Sequence, residues 1–203
     1  GQAHITAIAY ETIQADDGTL PVLLPTSQVV GRLAPIIAGQ CLQSTHGGRG
    51  ILLSGIPGVP AAEVVILGAG VVGVNAAQAF LGLGAQVLIL DSNFQKLEAV
   101  DQRFSGRVNT LLSTHYNLAR VVRFADVVVG AVLVPGKRSP VLLTRELLRQ
   151  MRPRAVFIDF SIDQGGCAET SRPTTHQNPT FIEENVIHYA VPNVPARVAR
   201  TAS

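Results

Sequence analysis

Three glycines set what this chain can become. Gly68, Gly70 and Gly73 stand in the spacing G-x-G-x-x-G, directly after the apolar run Val64, Val65, Ile66, Leu67. The residues that follow suit a helix, and a second apolar run then closes on Asp91. A strand, a glycine turn, a helix and a strand ending in a carboxylate about 20 residues on make up the βαβ unit that binds dinucleotides. Each residue type has a physical task. Gly68 allows a tight turn out of the strand. Gly70, lacking a Cβ, lets backbone approach a pyrophosphate. Gly73 lets the helix pack closely on the sheet. The helix N-terminus offers free amides and the positive end of a dipole, which suit a phosphate. Asp91 would accept hydrogen bonds from the adenosine ribose and repel a 2′-phosphate, so NAD is expected over NADP. The next cation along the chain is Lys96. The competing reading, glycines that serve packing alone, leaves the surrounding strand, helix and carboxylate unexplained.

Composition narrows the class. The chain has 203 residues, 47% hydrophobic and 15% charged, enough to bury a core and too apolar for disorder. One domain of ordinary size with extra segments fits that length. A net charge of +2 argues against a dedicated nucleic-acid binder. The arginines at 145, 149, 152 and 154 fit a solvated helix end, where cations complement the dipole. Cys41 and Cys167 form no C-x-x-C pair and read as reduced, buried thiols of a reducing, cytoplasmic compartment. The histidines show no metal-ligand spacing, so no metal is expected, and His115 and His176 read as loop or cap residues. Residues 64–90 are apolar enough to suggest a membrane span. Glycines at 68, 70, 73, 82 and 84 break that stretch and no aromatic belt flanks it, so a buried βαβ unit is the better reading. The first 20 residues carry His4, Glu11, Asp16 and Asp17 rather than a continuous apolar core, unlike a signal peptide.

Along the chain, residues 5–13 alternate like a strand, and the Ala-Asp-Asp-Gly run at 15–18 signals a turn. Ser27 is placed to cap a helix over residues 28–43, with Pro35 inside it and expected to kink it. Residues 44–60 form a Gly- and Pro-rich loop. After the fingerprint the pattern repeats: helix 93–104, strand 108–112, helix 116–124 and strand 126–132. A helix from the N-cap Thr144 to about 151, strand 155–160, a long loop 163–181 and strand 186–191 complete it. Six strands alternating with helices predict a Rossmann-type α/β fold. It is a doubly wound parallel sheet in the order 3-2-1-4-5-6 with helices on both faces. Ligand is then expected across the carboxyl ends of the strands, where Gly68, Asp91, Ser113, Val132, Leu133, Ser161, Asp163 and Asn193 stand.

Four stretches together, residues 47–73, 130–140, 161–176 and 191–203, resemble the NAD-binding domain of the alanine dehydrogenase and pyridine nucleotide transhydrogenase family. The run Ser161-Ile-Asp-Gln-Gly-Gly-Cys followed by Ser171-Arg-Pro-Thr-Thr-His is more specific than the glycines and favours the alanine dehydrogenase branch. The resemblance implies reversible oxidative deamination of L-alanine with NAD as cofactor. It also implies a homo-oligomer and a substrate domain that carries the catalytic lysine and histidine. On that reading residues 1–45 are a strand and connecting helix leading from the substrate domain. Residues 46–203 are then the Rossmann domain, and the chain binds NAD(H) without turnover. The alternatives are a stand-alone, non-catalytic NAD-binding module, or the NAD-binding subunit of a proton-translocating transhydrogenase. A related dehydrogenase of lysine or saccharopine is a further one. No nucleic-acid or membrane partner is implied.

The resemblance also assigns residues. Ser27 would contact the cofactor from the connecting helix. Val71 and Val72 would present amides to the pyrophosphate, and Lys96 and Ser113 would line the adenosine side. Val132 and Leu133 would line the cleft. Phe160, Ser161, Ile162 and Asp163 would border the nicotinamide, completed by Arg172 and the loop Val191, Pro192, Asn193, Val194. Asp163 is the catalytic candidate, since a carboxylate there could orient water or stabilise an iminium charge. Its competing reading is a loop cap that binds the amides of Gly165 and Gly166.

Overall fold

The computed structural model describes residues 13–134 and 136–202, so the strand expected over residues 5–13 falls almost wholly outside the described residues. Apolar, β-branched runs form the centre of the sheet. They are β1 (Glu63–Leu67), β2 (Gln86–Asp91), β3 (Asn109–Leu112), β4 (Val127–Gly130), β5 (Val156–Asp159), β6 (Thr180–Glu183) and β7 (Val186–Tyr189). Their order is β3-β2-β1-β4-β5-β7-β6. Every pairing is parallel except β6 with β7. The central strands β4, β5 and β7 are buried at every residue, because helices cover both faces of the sheet.

One face carries α1 (Leu24–Leu42), α2 (Val71–Gly82) and α3 (Phe94–Phe104). They pack with Val64, Ile66, Val127, Val129 and Ile158 in one core. The other face carries α4 (His115–Val122) and α5 (Arg145–Arg149), packed on Val65, Leu67, Val128 and Phe157. The short helix α6 (Ala199–Ala202) follows a 3-10 turn near the carboxyl end. The expected doubly wound α/β fold and its strand order are therefore present, with one strand added.

That addition is a correction. The segment read as a loop over residues 163–181 ends in β6, an edge strand antiparallel to β7. Its exposure alternates, as an edge strand with one solvated face requires. Glu184 and Asn185 join the two strands as a two-residue turn, both with positive φ (49° and 61°). The turn lacks the Asn-Gly signature, so the hairpin was hidden.

The start of α1 is a second correction. The helix begins at Leu24 with Leu23 at the cap, no side chain caps it, and Ser27 lies within its first turn. Pro25, suited to the first turn of a helix, explains the earlier start. The helix then runs through the buried Pro35 to Leu42. The outer bounds of the other elements shift by a few residues, and α5 is only five residues long.

The basic cluster is the expected solvated end of α5, with Arg145, Arg149 and Arg154 exposed, but three of its arginines are also paired. Asp126, immediately before β4, is almost fully buried, its side chain 4% exposed. It accepts from Arg49 at 3.1 Å, Arg152 at 2.9 Å and the Glu63 amide at 3.0 Å. Arg145 pairs with Glu183 and Glu184, and Arg149 with Glu184, which ties α5 to the β6–β7 hairpin. The arginine pairs thus secure loop 44–60 and the added edge strand.

Asp126→Ala removes the carboxylate that Arg49 and Arg152 share. It is expected to lower unfolding free energy by about 3 kcal/mol in urea titration, more than either Arg49→Ala or Arg152→Ala. Both cysteines are buried and free. Burial pushes the Cys41 thiol from the usual 9.0 up to about 11, and burial beside Asp159 raises Cys167 as well. Folded Cys41 keeps its proton where an unfolded thiol would lose it. Its contribution to stability is thus fully present below pH 9.0 and is lost as pH rises toward about 11. At neutral pH neither thiol should react with a thiol-specific reagent until denaturant is added, when both should titrate.

Candidate functional site

A cleft of about 630 Å³ opens across the carboxyl ends of β1, β2 and β4. Its floor is the fingerprint: Gly68, Gly70, Val71 and Val72. Asp91, Lys96 and Ser113 line it beyond β2 and β3, and Val132 and Leu133 beyond β4. Ser27 and the segment from Gly18 to Leu24 close the opposite side.

The turn after β1 is built for a bound anion. Gly68 has φ of 109°, and a Cβ there would stand 2.5 Å from the Ala131 carbonyl oxygen. Only glycine fits. A Cβ on Gly73 would fall on the Gly68 carbonyl, so Gly73 serves close packing and does not face the cleft. A Cβ on Gly70 would meet nothing within 4 Å, so the backbone there borders open space.

Helix capping sharpens the contrast. Asn93, Thr114 and Thr144 each cap the helix they precede, accepting from the amides of Lys96, Asn117 and Leu147. No side chain caps α2. Its first-turn amides have no carbonyl one turn back to bond, and Val71 and Val72 of that turn line the cleft. A pyrophosphate would supply the missing acceptors, so the residues present fit a dinucleotide.

Asp91 holds this turn as well as facing the cleft. One carboxylate oxygen accepts from the Ala69 amide at 2.7 Å, the other from the Asn93 amide at 2.8 Å. The carboxylate thus ties the β1–α2 turn to the β2–α3 turn, and its remaining lone pairs are free for ribose hydroxyls.

The other expected site residues gather on the turn after β5. Phe160, Ser161, Ile162 and Asp163 do not line the cleft directly. Ser161 nevertheless shapes it: its hydroxyl donates to the Val132 carbonyl at 2.8 Å and accepts from the Val132 amide at 3.1 Å. Asp163 sits in the 3-10 turn Ile162–Gln164. Desolvation pushes its carboxyl above the usual carboxylate range, against a hydrogen bond from the Asn193 amide. The amides of Gly165 and Gly166 go instead to the carbonyls of Ile162 and Ser161, so Asp163 is not a cap for its own loop. Asn193 has φ of 51° and begins the 3-10 turn Val194–Val198, between the buried Val191 and Val194 and beside Pro192. Asp163 and the Asn193 loop are therefore in contact. Arg172 lies elsewhere, its guanidinium 4.1 Å from the Phe181 ring on β6, which stacks on His188.

Two features escaped the sequence reading. The strip of residues 18–24 lines the cleft, and nothing in its composition signals that. Asp159, at the end of β5, is buried and organises the following loop. Its signal was available, since it ends an apolar strand as Asp91 does.

A family model, "Alanine dehydrogenase/PNT, C-terminal domain", matches residues 34–203. The chain belongs to this family. An alanine dehydrogenase of Halomonas elongata is 51% identical over 98% of this chain. A solved L-alanine dehydrogenase superposes with a TM-score of 0.93, at 47% identity and over 96% of this chain. A transhydrogenase from Sinorhizobium meliloti superposes less well, with a TM-score of 0.76 at 27% identity over 89% of this chain. The chain spans about half of each: 53%, 54% and 51% of their lengths. The matched C-terminal domain is the NAD-binding part of this family, and the glycine-rich floor of the cleft lies within it. Among the described residues no helix is long and apolar enough to cross a membrane, and no group of three or more metal-ligating side chains gathers.

Asp91→Ala removes both a carboxylate that lines the cleft and the link between the two turns. Calorimetric titration is expected to show NAD binding weakened about tenfold or more, while the unmodified chain binds NAD well ahead of NADP.

Proposed function

We propose that this chain is the cofactor half of an alanine dehydrogenase, in which L-alanine, NAD and water give pyruvate, ammonium, NADH and a proton. The observation that carries the reading is the uncapped N-terminus of α2 beside Asp91, in one cleft with Ser27 and Val132. The likeness to alanine dehydrogenases at half the sequence identical, over almost all of this chain, supports the choice of reaction. NAD supplies the hydride acceptor when bound. The first amides of α2 hold its pyrophosphate, Asp91 the adenosine ribose, and Lys96 and Ser113 border the adenosine. Val132 and Leu133 form the wall along which the nicotinamide ring is aimed.

Asp163, Phe160, Ile162 and the loop from Val191 to Val194 form the border of the reacting end. Removal of hydride from the alanine Cα leaves an iminium, which water then attacks. A carboxylate at Asp163 stabilises that positive charge and orients the water. Arg172 completes this border only if its guanidinium leaves the Phe181 ring.

Residues 1–45 serve as the connection to a substrate domain and 46–203 as the Rossmann domain. Helix α1 is packed into the Rossmann core, so the connection is firmly seated on the cofactor side. The substrate domain supplies the alanine-binding groups and closes over the cleft. The enzyme is a cytoplasmic homo-oligomer.

Two measurements test this. The 203-residue chain should bind NAD by calorimetry yet form no NADH when given alanine. Clear turnover would refute the division of labour. In a chain carrying both halves, Asp163→Asn should lower kcat by about a hundredfold or more with little change in the KM for NAD. The raised Asp163 carboxyl stays protonated to higher pH than an ordinary one. The acid limb of the rate profile, with activity rising as Asp163 ionises, should therefore lie above 3.8 and disappear in Asp163→Asn.

A further inference from the structure

Asp159 ends β5 and is 1% exposed. Donors converge on both of its oxygens. The amides of Ser161 and Cys167 each lie at 3.0 Å and the Cys167 thiol at 3.6 Å. The Ser171 hydroxyl makes a short hydrogen bond to the same carboxylate and itself accepts from the Ala168 amide at 3.1 Å. A carboxylate this deep is costly to keep, and it is kept here by groups drawn from the whole of the 161–171 loop. The loop is closed tightly around it: a Cβ added to Gly130 would fall on the Cys167 sulfur, and one on Gly166 on the Ser171 side chain.

What hangs from this loop matters for the cleft. The Ser161 amide donates to Asp159, while its hydroxyl donates to the Val132 carbonyl and accepts from the Val132 amide. Val132 lines the cleft. The next turn carries Asp163, joined to the Asn193 loop. The wall of the cleft and the acidic group of the adjoining turn are thus referred to one buried anchor.

We propose that Asp159 is a positioning residue of the dinucleotide site: its carboxylate fixes the 161–171 loop and so sets Val132, through Ser161, and Asp163. This rests on reading the cleft as an NAD site. All of its partners are donors, so the ionised, acceptor-only form is the one the pocket fits. Asparagine has the same shape, but its amide nitrogen would point a donor at a donor and leave one partner unmatched.

A purely structural role makes a different prediction, and Asp126 provides the control. It is as deeply buried, but at the opposite end of the sheet from the cleft. The test is calorimetric titration of NAD into the unmodified chain, Asp159→Asn, Ser171→Ala and Asp126→Asn, with thermal unfolding of each. The unmodified chain should bind. Asp159→Asn should weaken binding about tenfold or more and Ser171→Ala in the same direction by less. Asp126→Asn should lower Tm and change Kd by no more than about twofold. NAD binding by Asp159→Asn at the unmodified affinity overturns the inference. So does a loss of affinity in Asp126→Asn as large as in Asp159→Asn at equal Tm. If Asp159→Asn does not fold, Ser171→Ala decides alone, and unmodified affinity there overturns the proposal. Failure of the unmodified chain to bind NAD overturns the reading of the cleft, and this inference with it.

Discussion

The bond between the Asp91 carboxylate and the Ala69 amide fixes the geometry on which the cleft depends. The fingerprint turn is short of internal hydrogen bonds because its glycines let the backbone take shapes that leave amides outward. One of those amides is satisfied by Asp91, across the boundary between β1 and β2, and the same carboxylate holds the Asn93 amide on the next turn. The carboxylate that faces the cleft is therefore also a strut. Replacing it releases both turns, so an effect of that change on a ligand cannot be read as the loss of one contact alone.

The second wall of the cleft comes from far away in the sequence. Helix α1 lies along α2 on the same face of the sheet, contributing Leu33, Ala34, Ile37 and Ala38 to the core that holds Ala76, Ala77 and Phe80. That packing fixes Ser27, and the strip before it, opposite the fingerprint. Helix α1 is thus bound to the fingerprint unit by apolar burial over much of its length.

Much of this was legible in the sequence because it follows from periodicity and from glycine. The strand order, the two-sided helical cover and the cleft at the carboxyl ends follow from apolar runs alternating with amphipathic ones. The cap at Thr144 follows from side-chain chemistry, whereas Asn93, read as the first residue of its helix, proves to be the cap. What was not legible depends on partners distant in the chain. The β6–β7 hairpin turns on Glu184 and Asn185, which carry no glycine signal, and its edge strand looks polar because one side is solvated. The arginines at 145 and 149 are solvated as read, but the ion pairs of 145, 149 and 152 were not legible because their carboxylates, at 183, 184 and 126, are remote in sequence. Ser27 lines the cleft but is not a cap, since Pro25 and not a hydroxyl starts the helix. The placement of Arg172 over Phe181 required an edge strand that the pattern did not announce.

The buried carboxylates explain one another once the direction of the sheet is considered. In a parallel sheet with crossover helices, helix C-termini gather at the amino ends of the strands and helix N-termini at the carboxyl ends. A carboxylate at the amino ends sits among carbonyl oxygens and needs cations, and Asp126 has two arginines. Carboxylates at the carboxyl ends sit among amides. Asp91 is held by the amides of Ala69 and Asn93, Asp159 by those of Ser161 and Cys167, and Glu169 accepts the Arg145 amide at the start of α5. The polarity that lets these acids persist without a bonded cation is the polarity that suits a pyrophosphate at α2. There the position is left without a side-chain acceptor, and the open space beside Gly70 leaves room for one to arrive with the ligand.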